Sequence, residues 1–179
     1  MNSQEPLNTP LEITIGTLLR QRGMKLVVAE SCTGGLISDR ITDVPGSSDY
    51  YLGGVTAYAN EVKRRVLGVS AETLRSYGAV SGETAIEMAR GARFALADET
   101  PVSSILGISA TGIAGPSGGS PDKPVGLVWI GLSAPEGESA WQFVWEFDRS
   151  GNKAASAEQA IRLAVDYLRG TLSSIDSNH

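Results

Sequence analysis

The stretch from Lys25 to Ile41 constrains the fold of this chain more than any other. After Lys25 comes a short apolar run, Leu26-Val27-Val28-Ala29, of strand length. It ends abruptly in Glu30-Ser31-Cys32-Thr33-Gly34-Gly35, after which Leu36, Ile37 and Ile41 suggest a helix. A strand, a turn of small residues and a helix, in that order, aim the unpaired N–H groups of the helix start at a ligand.

The remaining segments continue the alternation. Leu11, Ile15, Leu18 and Leu19 predict a helix from Pro10 to about Gln21, with Gly23 as its stop. Val44–Ser48 reads as a loop, and Tyr50–Tyr58 as a strand kinked by two glycines. Asn60 is the expected cap of a short helix through Val66, and a second short helix is predicted over Ala71–Tyr77. Ser81 opens a longer helix with Ala85, Met88, Ala89, Ala92 and Leu96 on one face. Val102–Ser109 is the next strand, followed by a glycine-rich loop over Thr111–Gly119 and a buried run over Val125–Leu132. Ala140–Phe147 alternates, placing Trp141, Phe143, Trp145 and Phe147 on one face, and the turn Ala134-Pro135-Glu136-Gly137 pairs it with the preceding run as a hairpin. A last helix spans about Lys153–Arg169, with Ala157, Ala160, Ile161, Ala164 and Leu168 inward and Gly170 as stop. The predicted fold class is α/β: a three-layer α/β/α sandwich around a five-stranded mixed sheet. Residues 11–172 form one domain, with flexible ends over 1–10 and 173–179. The aromatic face of Trp141–Phe147 exceeds what one domain is expected to cover, which predicts a homo-oligomer.

Composition then excludes whole classes of function. Lys plus Arg is 15 and Asp plus Glu 20, a formal net charge of −5. A general nucleic-acid binder carries the opposite balance, because phosphate neutralisation supplies its affinity. One cysteine, Cys32, forms no internal bridge and suits a reducing cytoplasm. Neither a signal peptide nor a membrane span is expected, so the predicted location is cytoplasmic. The only histidine is His179, the last residue, so a Ser-His-Asp triad, a Cys-His pair and a histidine metal site are all disfavoured. Neither metal nor cofactor is expected. A hydrolase built from this chain must move its proton with another group.

Three segments could carry chemistry. Ser31, on a turn before Thr33-Gly34-Gly35, resembles a nucleophile elbow, although the pattern is not G-x-S-x-G. A capped turn with tight helix–sheet packing would use the same residues. Cys32 competes as nucleophile, but without histidine its thiolate needs a nearby cation or the helix start; a small buried residue fits the position equally. Lys63, in the first turn after Asn60, could be desolvated enough to serve as a base, whereas a solvated lysine fits the same spacing. The Thr111–Gly119 loop is neither a P-loop nor a dinucleotide fingerprint, yet its glycines permit an anion-binding nest. It and the Ser31 turn both fall at the carboxyl ends of strands, where α/β sheets bind ligands.

Longer motifs carry a resemblance. Ala29–Gly35, Gly53–Lys63, Leu67-Gly68-Val69, Gly78-Ala79-Val80-Ser81, Ala110–Pro116 and Lys123-Pro124-Val125-Gly126 occur in this order over nearly the whole chain beyond residue 10. The chain thereby resembles the CinA C-terminal domain family. The resemblance implies a five-stranded mixed α/β/α fold and, for members that are enzymes, hydrolysis of nicotinamide mononucleotide to nicotinic acid mononucleotide and ammonia. It also implies Ser31 as nucleophile, Lys63 as base and Tyr58 as a proton relay or positioner. Two departures stand out near the C-terminus. Where the family often has Gly-Asp-Arg and an arginine four residues on, this chain has Phe147-Asp148-Arg149 and Lys153. The pyrophosphatase activity linked to the large N-terminal domain of full-length CinA is not expected of these residues.

The expected activity is therefore that of an amidohydrolase working through an acyl-enzyme on a small-molecule nucleotide, with no nucleic-acid or membrane partner. Backbone N–H groups near Thr33 and Gly34 would hold the oxyanion, and the Thr111–Gly115 loop with Arg149 the nucleotide end. Glu30, Thr33, Gly34, Gly35, Asn60, Thr111, Gly112, Ala114, Gly115 and Arg149 are the expected substrate-binding residues. A non-catalytic nucleotide-binding or interaction module of the same fold, and an amidase for another carboxamide, remain as alternatives.

Overall fold

A computed structural model describes residues 9–172. The expected flexible ends, residues 9 and 10 apart, lie outside the described residues. Within them the chain forms α1 (Leu11–Arg22), β1 (Lys25–Glu30), α2 (Leu36–Thr42), β2 (Tyr51–Thr56), α3 (Asn60–Leu67), α4 (Ala71–Ser76), α5 (Gly82–Ala95), β3 (Ile105–Gly112), β4 (Leu127–Ala134), β5 (Gly137–Val144) and α6 (Arg149–Arg169).

The five strands make one sheet in the order β2-β1-β3-β4-β5. β1 pairs in parallel with both β2 and β3, while β3–β4 and β4–β5 are antiparallel. The sheet is thus mixed, as predicted. β1 is followed in sequence by β2 on one side, and the chain then crosses to β3 on the other. That reversal opens a crevice beyond the carboxyl ends of β1 and β3.

Alternation along the strands sorts the core into two layers. Leu26 and Val28 of β1, Leu106 and Ile108 of β3, and Val128 and Ile130 of β4 face α1, α2 and α6. Val27, Ala29 and Ile105 point to the opposite side, with Leu67 and Val69 at the end of α3 and Met88 and Ala92 of α5. Burying each such aliphatic side chain contributes roughly 1.5–3 kcal/mol. α5 approaches the sheet closely because the strand residues under it are small. A Cβ at Gly107 would lie 2.4 Å from the Ala89 carbonyl oxygen, and one at Gly131 2.4 Å from that of Ala85. Ser109 Oγ donates to the same Ala85 carbonyl at 2.6 Å.

Several boundaries differ from expectation. The kink in β2 is a register shift opposite Leu26/Val27, with Gly53 at φ 146°. Asn60 is not a cap: Ala59 holds that position in extended conformation, and Asn60 is the first helical residue. β3 runs on to Gly112, because Thr111 and Gly112 pair with Trp129 and Val128. Those two residues are therefore strand, not loop. β5 starts and ends earlier than predicted, and α6 starts earlier, at Arg149, because the Asp148 carboxylate accepts from Gly151 N at 2.7 Å. Trp141 is buried, and Trp145 stacks on Phe143 at 5.3 Å and donates to Ser156 Oγ of α6 at 3.1 Å. Phe143 and Trp145 are partly buried against the core to which the chain's own last helix contributes. Phe147 lies past the strand and is exposed.

Candidate active site

Ser31 is the first residue beyond β1. Its N–H bonds to the Ala110 carbonyl at 2.9 Å, so the turn begins as a continuation of the β1–β3 ladder. The turn is then shaped by Glu30. Its buried carboxylate accepts from Gly35 N and Ile37 N at 3.0 Å each, from Ser38 N at 2.9 Å and from Ser38 Oγ at 2.7 Å. These are N–H groups that the start of α2 would otherwise leave unpaired. Glu30 is thus a brace for the turn and does not line the cavity, contrary to the expectation of a substrate contact. Glu30→Gln keeps the size but replaces one acceptor with a donor facing N–H groups. The expected loss is about 2–3 kcal/mol, or roughly 5–10 °C in melting temperature for a chain of this length. Calorimetry checks it; an unchanged melting temperature would deny Glu30 this role.

Lys63 comes from α3 and is 1 % exposed. Its Nζ lies 2.9 Å from Ser31 Oγ, 2.8 Å from the Ala57 carbonyl and 3.3 Å from the Tyr58 carbonyl. The Ala57 carbonyl is in place because Ala57 N bonds to the Glu30 carbonyl at 2.7 Å, extending the β1–β2 pairing. Burial pushes the Lys63 ammonium below its ordinary pKa. Burial acts oppositely on the neighbouring Cys32 thiol, raising it to about 12, so Cys32 stays protonated at neutral pH.

A cavity of about 210 Å³ opens over this pair, lined by Ser31, Cys32, Tyr58, Asn60, Lys63, Ala79, Val80, Thr111, Gly112, Ala114 and Arg149. Of the expected residues, Thr33, Gly34, Gly35 and Gly115 are not among its walls. Thr33 is fully buried, and its Oγ1 has no hydrogen-bond partner among the described residues. The Gly34 N–H, expected at the oxyanion, is used by the Ser31 carbonyl at 3.2 Å. Gly115 acts through its carbonyl, which accepts from Arg149 Nη1 at 2.7 Å. Tyr58 is 62 % exposed, and its hydroxyl accepts from Arg149 Nη2 at 3.1 Å. Its backbone carbonyl, not its phenol, meets Lys63.

Lys123 and Asn152 were not singled out from sequence as site residues. Lys123 Nζ donates to the Tyr77 and Val80 carbonyls at 2.6 and 2.8 Å, and Thr111 Oγ1 to that of Ala79 at 2.7 Å, fixing the wall opposite Ser31. Asn152 is buried: its Nδ2 donates to the Ala114 carbonyl at 3.0 Å and its Oδ1 accepts from Phe147 N at 3.1 Å. The signal for it was Asn152 and Ser156 standing four apart on the inward face of α6. Lys153 sits beside the turn, with its Nζ 3.6 Å from where a Gly34 Cβ would be. Among the described residues no cluster of three metal-ligating side chains occurs, and no helix is long and apolar enough to cross a membrane.

Relatives share this arrangement's scaffold. A CinA-like protein of Salinibacter ruber is 48 % identical over 154 residues, 86 % of this chain and 36 % of its own length. One of Acaryochloris marina is 55 % identical over 133 residues, 74 % of this chain and 30 % of its own. The chain thus spans about a third of the length of these curated relatives. Among solved structures, a competence-damaged protein (CinA) superfamily protein of Klebsiella pneumoniae superposes with a TM-score of 0.80 at 29 % identity, covering 89 % of this chain and 96 % of that one. A competence/damage inducible protein of Agrobacterium tumefaciens gives 0.76 at 33 % identity, covering 93 % and 99 %. The CinA C-terminal domain model matches residues 8–168, and with this sheet and these relatives the chain belongs to the CinA C-terminal domain family.

Proposed function

We propose that the chain is an amidohydrolase that deamidates nicotinamide mononucleotide to nicotinic acid mononucleotide and ammonia. The observation that carries this reading is the buried pair of Ser31 Oγ and Lys63 Nζ at 2.9 Å. A neutral amine has two N–H donors and one lone pair. The Ala57 and Tyr58 carbonyls take the two donors, which turns the lone pair toward Ser31 Oγ. Lys63 then accepts the hydroxyl proton as Oγ attacks the carboxamide carbon. The ammonium so formed returns the proton to the departing nitrogen as the C–N bond breaks, releasing ammonia and leaving an ester on Ser31. Water, deprotonated by the same amine, hydrolyses that ester. The backbone N–H groups of Cys32 and Thr33, which follow Ser31 in the turn, are the groups offered to the oxyanion. Tyr58 positions Arg149 instead of relaying a proton.

Ammonia release compared across nicotinamide mononucleotide, nicotinamide riboside, nicotinamide and unrelated amides tests the reading. The mononucleotide is expected to give the highest kcat/KM. Release from an unrelated amide alone would make the chain an amidase for another carboxamide, and release from none would make it a binding module. Cys32→Ser is expected to stay within a few-fold of the parent, because a thiol held protonated is not the nucleophile. An inactive Cys32→Ser with an active Ser31→Ala would reverse the assignment.

A further inference from the structure

The catalytic cavity, at about 210 Å³, is smaller than the ~300–1,000 Å³ usual for a small-molecule site. A second cleft of about 450 Å³ also has Arg149 in its wall. The two share Ala114 and Arg149 as walls. A ligand too long for the first would therefore pass the guanidinium into the second.

The second cleft is built for different chemistry. Its walls combine the apolar Pro116, Val125 and Phe147 with the polar Asp148, Arg149 and Ser150. Phe147 is 62 % exposed, yet its backbone is pinned by Asn152 and by the Asp148 cap of α6. Arg149 spends two N–H groups on the Gly115 carbonyl and the Tyr58 hydroxyl, leaving three of its five donors for an anion between the clefts. The Asp148 carboxylate is turned to Gly151 N. An exposed ring on a held backbone, sharing a cleft with a cation, suits a phosphorylated nucleoside, with its phosphate on the guanidinium and its base stacked on the ring.

The geometry points to a base-binding subsite at Phe147, so that the chain accepts a dinucleotide whose carboxamide end enters the Ser31 cavity and whose second base stacks on Phe147. This extension rests on reading the Ser31 cavity as a carboxamide site. Binding is measured by titration calorimetry in a Ser31→Ala background, which prevents turnover. The probes are nicotinamide mononucleotide, nicotinamide adenine dinucleotide and ADP. The dinucleotide is expected to bind about tenfold more tightly than the mononucleotide. Phe147→Ala should erase that advantage, and Phe147→Trp should keep it. A dinucleotide that binds no more tightly than the mononucleotide, or whose advantage survives Phe147→Ala, overturns the subsite and leaves the amidase reading standing. Phe147-dependent binding of ADP without binding of the mononucleotide keeps the subsite and overturns the amidase reading. Binding of none of the three overturns both.

Discussion

Ser31→Ala is expected to lower kcat/KM for nicotinamide mononucleotide by at least about a thousandfold, the scale on which removing a nucleophile acts. The fold should not register the change. Ser31 ends β1 at a turn held by the Glu30 carboxylate and the Ser31 backbone, and its side chain makes one described hydrogen bond, to Lys63. The melting temperature should therefore shift by no more than a few degrees. Ammonia release and calorimetry on the same preparation separate the two effects. Retention of more than a tenth of the activity would remove Ser31 from the nucleophile's role, and a collapse in melting temperature would show that its hydroxyl supports the turn.

Much of this arrangement was legible because it is local. The run Leu26–Ala29 and the small residues after it place a turn at a strand end, and the sheet puts Ser31 there. The hairpin was written in Ala134–Gly137, where Ala134 and Gly137 are directly paired. What escaped depends on partners distant in sequence. Thr111 and Gly112 read as loop because glycine is a poor strand former, and only pairing with β4 makes them strand. The start of α6 was hidden because Ser150-Gly151-Asn152 has little helix propensity; the Asp148 cap decides it. Tyr58 was assigned a proton because of its place in a motif. Its exposure and its bond to Arg149 are matters of side-chain direction, which motif position does not encode. The meeting of Ser31 with Lys63 was implied by the family resemblance, and the composition agrees with it, since a chain whose one histidine is its last residue leaves a serine few other bases. The distance itself follows from β1–β2 pairing, which carries Ala57 and α3 back beneath the turn.

That burial makes Lys63 the sharpest test of the mechanism. Its ammonium form has no lone pair, so kcat/KM should rise with pH as Lys63 loses its proton. The inflection should fall below the ~10.4 of a free lysine, because desolvation lowers the folded-state value. Stability must follow the same group. Between the depressed folded pKa and the ordinary unfolded one, the unfolded chain binds the extra proton, so stability rises with pH through that window. Below the folded pKa the penalty of burying the cation is fully present; above the unfolded pKa it is gone. Lys63→Met removes both signatures together: activity should drop by about three orders of magnitude, and the melting temperature should lose that part of its pH slope. Lys63→Arg keeps a cation that does not deprotonate, and it should be nearly as inactive as Lys63→Met. A lysine that merely filled space would behave otherwise, since Lys63→Met would stay active with its pH profile unaltered. An active Lys63→Arg would likewise mean that the charge, and not its loss, is what Ser31 requires.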